Sequence, residues 1–418
     1  MTEEREVFRP SYPPLFRHRV FMERGSDGSG QRAGQIALGA FLTMRLIDWF
    51  VDGDLDRAAT AYQIDATRGF VADVPCTTEE PQHLLAIVNA AGMALDGSDN
   101  QPLVEPLLAY ADWLASVAEP AEALDVLDTV IQLCGAGDGE NVVVAQLRRG
   151  TLFLACSEFA EADNAFAIAA GLGRDLHRLQ ARIGSACVSR NRGELADAER
   201  ALEEVRIEAH DLGETSAEVQ ALNELARVFQ MDGRSVASVT TAYNAFQLAA
   251  NSFERQETLS LLGSLLVHVG NYDAAEDAFN LVLREEPGHK KRMYVVMDLL
   301  RLAGLRKDRV GFERRRAECN VLAQDAALWE VRDIEVTLAI AYARLGAFEK
   351  TGDHMNEAVR LTQEFHLEAY AGPDSSALSD LSTIAPLHDS DETFPASQES
   401  WPAFSEVAEE LRALLLAG

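Results

Sequence analysis

Between Glu257 and Pro287 the apolar positions follow a helical period and change phase once. Leu259, Leu262, Gly263 and Leu266 recur at i, i+3, i+4 and i+7, which predicts a helix whose apolar face is notched at Gly263. Gly270 ends that helix. Tyr272, Ala275, Phe279 and Val282 then follow at offsets of two, five, nine and twelve, before Pro287. This second run predicts an amphipathic helix with a small residue at its tightest contact and a proline stop.

The spacing recurs along most of the chain. Gly53 is followed by Leu55, Ala58 and Tyr62, Gly150 by Phe159, Ala162 and Phe166, and Gly193 by Leu195, Ala198 and Leu202. After Gly233 the apolar residues Val239, Tyr243 and Phe246 are displaced by one, which predicts a longer turn there. Lys290 to Leu322 predicts a degenerate pair, and Gly346 with Phe348 a last hinge. The hinges fall about 36 to 40 residues apart, a period of helical-pair solenoids. In these residues the chain resembles the tetratricopeptide repeat (TPR) family from about Gln35 to Tyr370, well in the middle and loosely at both ends; between Gly69 and Gln101, VADVPCTTEEP and DGSDNQP interrupt the pattern.

The expected fold is therefore all-α: a right-handed superhelical solenoid of antiparallel helix pairs, with a flexible N-terminal tail and a C-terminal capping helix. The expected divisions are a tail over 1–34, irregular helical repeats over 35–100, a TPR-like solenoid over 101–370, an acidic Pro/Ser-rich linker over 371–400 and an amphipathic helix over 401–418. That last helix carries Phe404, Val407, Leu411, Leu414 and Leu415 on one face. Two burial sites are open to it: the uncovered edge of the last pair, as a cap, or the groove of the array, as a removable plug.

Charge narrows the partners. The 418 residues hold 37 basic and 67 acidic side chains, a formal charge of −30 that repels nucleic acid and anionic lipid over most of the surface. Cys76, Cys134, Cys156, Cys187 and Cys319 are odd in number and widely spaced, which indicates neither a metal site nor a disulfide framework and suits a reducing cytoplasm. Ile36 to Val51 is the most membrane-like run, but Arg45 and Asp48 make it an amphipathic helix. Gly25 and Gly30 have the spacing of a phosphate loop, yet Gln31 and Arg32 stand where Lys and Ser/Thr are needed.

Local motifs for catalysis are lacking: there is no HExxH, no His/Cys cluster and no GxSxG, so a non-catalytic protein without cofactor is expected. The family resemblance implies that the first helix of each pair lines a concave face where ligands lie. The candidate groove residues are Arg190, Asn191, Gln220, Asn223, Arg227, Gln230, Ser264, His268, Tyr294 and Arg301, with Ile183 and Cys187 also expected to point outward. Arginines with amides suit a carboxylate or an extended peptide backbone. A solvated polar face accounts equally well for any single one of them.

A basic island stands out on the acidic chain: Lys290, Lys291, Arg292, Arg306, Lys307, Arg309, Arg314, Arg315 and Arg316. Ion pairing with neighbouring repeats explains it most simply. The expected function is a scaffold, adaptor or regulatory subunit that binds a protein or peptide, the alternative a ligand-responsive sensor. A nucleic-acid binder using the island ranks third.

Overall fold

The computed structural model describes residues 17–23, 31–53, 56–74, 79–97, 99–117, 119–135, 139–364 and 402–417. All regular structure among them is helical, and the chain divides into two compact units, 1–149 and 150–418.

The first unit holds α1 (Arg19–Glu23), α2 (Gln31–Asp52), α3 (Arg57–Ala72), α4 (Glu80–Gly97), α5 (Gln101–Ser116), α6 (Pro120–Cys134) and the start of α7 (Gly139–Ala155). α2 contains the described stretch, Gly34–Asp52, that is long and apolar enough to cross a membrane. It is a core helix here: Ile36, Ala40, Met44 and Ile47 are buried, and buried Asp48 is engaged by Arg45 and His18.

Two expectations need correction in this unit. Arg17–Glu23 falls within the predicted tail, yet Phe21 is fully buried and stacks on Tyr110, while His18 bridges Asp48 and Asp125. Those partners lie far along the chain, so local composition gives no sign of them. α3 buries Thr60, Ile64, Thr67 and Val71, whereas Ala58 and Tyr62 are exposed. Asp56 caps the helix by accepting from the backbone N–H groups of Ala58 and Ala59, which shifts the buried stripe two residues past its expected phase.

The second unit continues with α8 (Phe159–Leu172), α9 (Asp175–Asn191), α10 (Leu195–Leu212), α11 (Thr215–Met231), α12 (Ser235–Leu248), α13 (Ser252–His268) and α14 (Tyr272–Arg284). After these come α15 (His289–Leu305), α16 (Arg309–Leu322), α17 (Leu328–Arg344), α18 (Phe348–Glu364) and α19 (Pro402–Leu416). α9/α10, α11/α12, α13/α14, α15/α16 and α17/α18 are the antiparallel pairs expected from the repeat.

One turn joins the two helices of each of these five pairs, and joins α7 to α8. Its central residue is left-handed: Ser157 after α7, then Gly193, Gly233, Gly270, Lys307 and Gly346, with φ between 55° and 82°. The next backbone N–H reaches back to the first helix each time, as from Asn271 to the Leu266 carbonyl at 2.9 Å and from Asp308 to that of Ala303 at 2.9 Å. The turn after Gly233 is no longer than the rest. Ser238 holds the small position and donates to the Ala226 carbonyl at 2.7 Å, and Ala242 holds the large one, so the register is kept by residues that do not advertise it.

Ring-and-glycine contacts set the pair spacing. A Cβ placed on Gly263 would lie 2.6 Å from the Phe279 ring, and Cβ atoms on Gly150 and Gly184 would lie 2.5 and 2.4 Å from the ring of Phe166. Ala198 and Ala275 are fully buried at the predicted close crossings. First helices pack on one another in succession from α9 to α17, while consecutive second helices make little contact and splay apart.

α19 buries its apolar stripe, but away from the last pair. Val407 and Leu411 join one cluster with Ala274, Ala278 and Leu281, and the helix packs against α14 and α12. It neither caps α17/α18 nor enters the first-helix face. The expected place on the adjacent edge is corrected by chemistry that only α14 offers, described below.

Candidate functional site

The first helices α9, α11 and α13 together enclose a hollow of about 380 Å³. α11 supplies most of its wall. Leu222, Leu225, Ala226 and Phe229 are buried, which turns Gln220, Asn223, Glu224 and Arg227 towards the hollow. Ile183 of α9 forms part of the floor, and the first turns of α13 bring Asn251, Phe253, Glu254 and Glu257.

Most polar groups here are already held in place. Glu224 pairs with Arg190 at 3.2 Å and with Arg227 at 3.4 Å, so one carboxylate holds two guanidinium groups that the sequence offers to a ligand. Asn223 donates from its amide to the Thr258 hydroxyl at 3.1 Å, tying α11 to α13, while its amide oxygen is buried without a hydrogen-bond partner. Asn251 accepts from the Glu254 backbone N–H at 2.9 Å, and Glu254 accepts from that of Ala250 at 3.2 Å, which fixes the start of α13. Glu257 pairs with Lys291. Around the hollow the acids Glu224, Glu254 and Glu257 outnumber the single lining cation, Arg227.

Phe253 is the group most open to a ligand. Its ring is 70% exposed at the rim. The expected residues omit it, with Ser216, Val219, Glu224, Asn251, Glu254 and Glu257; its signal in the sequence is a large apolar residue outside the buried stripe of Leu259, Leu262 and Leu266.

Of the expected groove residues, the hollow gathers Gln220, Asn223 and Arg227. Arg190 lies behind it on Glu224. Asn191 and His268 are exposed at the ends of α9 and α13, Gln230 is half-buried near the end of α11, and Ser264 donates to the Ser260 carbonyl at 3.0 Å. Tyr294 packs against the α15–α17 core, and Arg301 is held by Asp298 at 3.0 Å and by the Thr337 hydroxyl at 2.9 Å. Ile183, expected to face outward, lies in the floor of the hollow with little exposure, and Cys187, expected likewise, is buried. Burial and the nearby Glu224 charge push the Cys187 thiol far above its ordinary value.

The basic island is largely paired internally. Lys291 meets Glu257, Arg292 meets Glu318 at 3.0 Å, Arg306 meets Asp273 and Glu276, Arg315 meets Glu318 at 3.1 Å, and Arg316 meets Glu313 at 2.7 Å. Lys290 lies over the Trp329 ring at 4.7 Å and 4.0 Å from Glu330; burial lowers its pKa. Lys307, Arg309 and Arg314 are exposed. Among the described residues no group of His, Cys, Asp and Glu side chains is placed to hold a metal ion.

Fold and site thus define a helical-pair repeat protein with a ligand-sized hollow on its first-helix face. Among solved structures the chain is similar to the Rap conjugation gene regulator of the plasmid pLS20 in complex with the Phr* peptide, at 12% identity over 80% of this chain and 98% of that one, with a TM-score of 0.51. It also matches a Rap protein complexed with competence and sporulation factor at 13% identity over 79% and 99% of the two chains, with a TM-score of 0.47. The apo form of RapI matches at 11% identity over 63% and 98%, with a TM-score of 0.46. The first of these likenesses supports the TPR-like helical fold expected from the repeat. No protein-family model matches the chain, and no curated protein matches it.

Proposed function

We propose that this chain is a non-catalytic, cytoplasmic regulatory adaptor that binds a peptide, or an extended segment of a partner protein, in the hollow between α9, α11 and α13. The observation that carries the reading is the make-up of that hollow: the Gln220 amide, and the amide N–H groups of Asn223 and Asn251 not used in the bonds above, can match backbone C=O and N–H groups, beside an exposed aromatic ring at Phe253. About 380 Å³ suits a few residues of extended chain. The pLS20 regulator, similar in fold, is named in complex with a peptide, which agrees with this reading.

The charge balance refines it. Arg190 and Arg227 are engaged by Glu224, so a free carboxylate gains less there than the arginines alone imply. Backbone hydrogen bonds and burial of an apolar side chain against Phe253 are the main attractions. Internal pairing of the basic island takes most of those charges away from any nucleic acid.

Affinity purification of the native chain from its host, followed by mass spectrometry, tests the reading. A stoichiometric partner is expected, and both Phe253→Ala and Asn223→Ala are expected to weaken its binding by about 1–3 kcal/mol each while circular dichroism stays unchanged. Retention of full affinity by both variants would move the site away from this hollow.

A further inference from the structure

The face of α14 that receives α19 is built to recognise a helix. Asp277 is buried, and the partner it meets is Arg412 of α19 at 2.7 Å. One helical turn beyond Leu281, Arg284 donates to the carbonyl oxygens of Leu414 and Leu415 at 2.9 and 3.0 Å, closing the C-terminal end of α19 where its carbonyls lack helical partners. An acid that reads the arginine and an arginine that reads the helix end fix both register and direction. Gln247 of α12 adds a bond to Glu410 at 2.8 Å.

Other second helices lack this set. Counted from the hinge, the place of Asp277 is taken by Arg200 in α10, Thr240 in α12 and Arg314 in α16, two of which repel Arg412. α18 has Asp353 there, but His354 and Glu357 stand where α14 has Ala278 and Leu281. α19 therefore passes over the nearer helices for a chemical reason.

Its seat is also mechanically placed. α19 bridges α12 and α14, the splayed outer helices of two consecutive pairs, and the inner helices of the same pairs, α11 and α13, form most of the hollow. The hollow is lined by first helices and the brace rests on second helices of the same two pairs, which the α12–α13 contact joins. Among the first helices the seam between the pairs is closed by the Asn223–Thr258 bond, and among the second helices by the contacts of α19 with Gln247 and Asp277.

We propose that α19 is a releasable brace whose seating is linked to occupancy of the hollow: a ligand that wedges α11 from α13 changes the angle between the pairs and unseats α19. Linkage makes the effect reciprocal, so a change at α19 must be felt in the hollow. The ligand role rests on the function proposed above, but the linkage itself is measured without any ligand, so the two readings fail separately.

Hydrogen exchange on the full chain provides the test, comparing wild type, Arg412→Glu and the doubly reversed Asp277→Arg/Arg412→Glu. Arg412 is more than half exposed, so its reversal spares the core. The single variant is expected to speed exchange in α19 tenfold or more and to speed exchange in α11 and the first turns of α13, with α17 unchanged; the double variant is expected to restore both. Release of α19 with α11 and α13 unchanged would overturn the linkage, and protection of α19 in Arg412→Glu would overturn the assigned seat. If α17 also loosens in Arg412→Glu, Gln247→Ala, which removes the Glu410 contact together with an exposed bond to the Tyr243 hydroxyl inside α12, takes its place under the same criteria.

Discussion

His18 lies between two carboxylates, those of Asp48 and Asp125. Burial would lower its pKa, but hydrogen bonds and charge from Asp125 and Asp48 outweigh burial and raise it to about 9. Arg17 and Arg45 face the same Asp48, whose carboxyl is held below its usual range chiefly by His18 once the opposing effect of burial is overcome. Because the folded state binds this proton more tightly, its contribution is complete below the ordinary histidine pKa of about 6.5 and is lost as pH rises through about 9. A shift of that size corresponds to roughly 3 kcal/mol. Denaturation midpoints taken from pH 6 to 9.5 are expected to fall more steeply in wild type than in His18→Gln. Parallel slopes would show that the clasp does not carry the charge. Neither the clasp nor the Arg190–Glu224 pair was legible in the sequence, since each joins residues 30 or more apart through backbone geometry that periodicity does not specify. The trough position of Asn223 and Arg227 was legible, because both sit opposite a clean apolar stripe on α11.

Elements were legible where one residue type does one job. Gly193, Gly270 and Gly346 mark hinges because a left-handed turn favours glycine. Lys307 occupies the same turn with φ of 55°, and the α15/α16 pair looked degenerate for that reason and because Phe312 fills the small position. Lys307→Gly is expected to raise stability by about 0.5–1 kcal/mol, the left-handed penalty of a residue with Cβ less the added chain entropy of glycine. A lower melting temperature in that variant would mean that the lysine side chain itself supports the turn. α19 was legible as an amphipathic helix but not in its destination. Its choice of α14 depends on Asp277, which reads in the sequence as an ordinary surface acid and is buried against Arg412.

At the scale of the whole chain, electrostatics favours separation. The formal charge is −30, and the arginines are spent largely on local pairs of the kind that contribute at most about 1 kcal/mol each when exposed. General repulsion among the remaining acids therefore outweighs the loss of those pairs when salt is added. Raising sodium chloride from about 0.05 to 0.5 M, which shortens the screening length to a few ångströms, is expected to raise the melting temperature. A fall would show that the pairs act as a network.

The ring of Phe166 adds a consequence of another kind. Its faces lie against the backbones of two helices at once, at Gly150 and at Gly184, with no room for a single added carbon on either. A half-turn of the ring about its own axis must sweep its edges through both backbones, so it can occur only when the two helices part together. The rate at which the two sides of this phenyl ring exchange in a nuclear magnetic resonance spectrum is thus a clock for how often neighbouring pairs breathe.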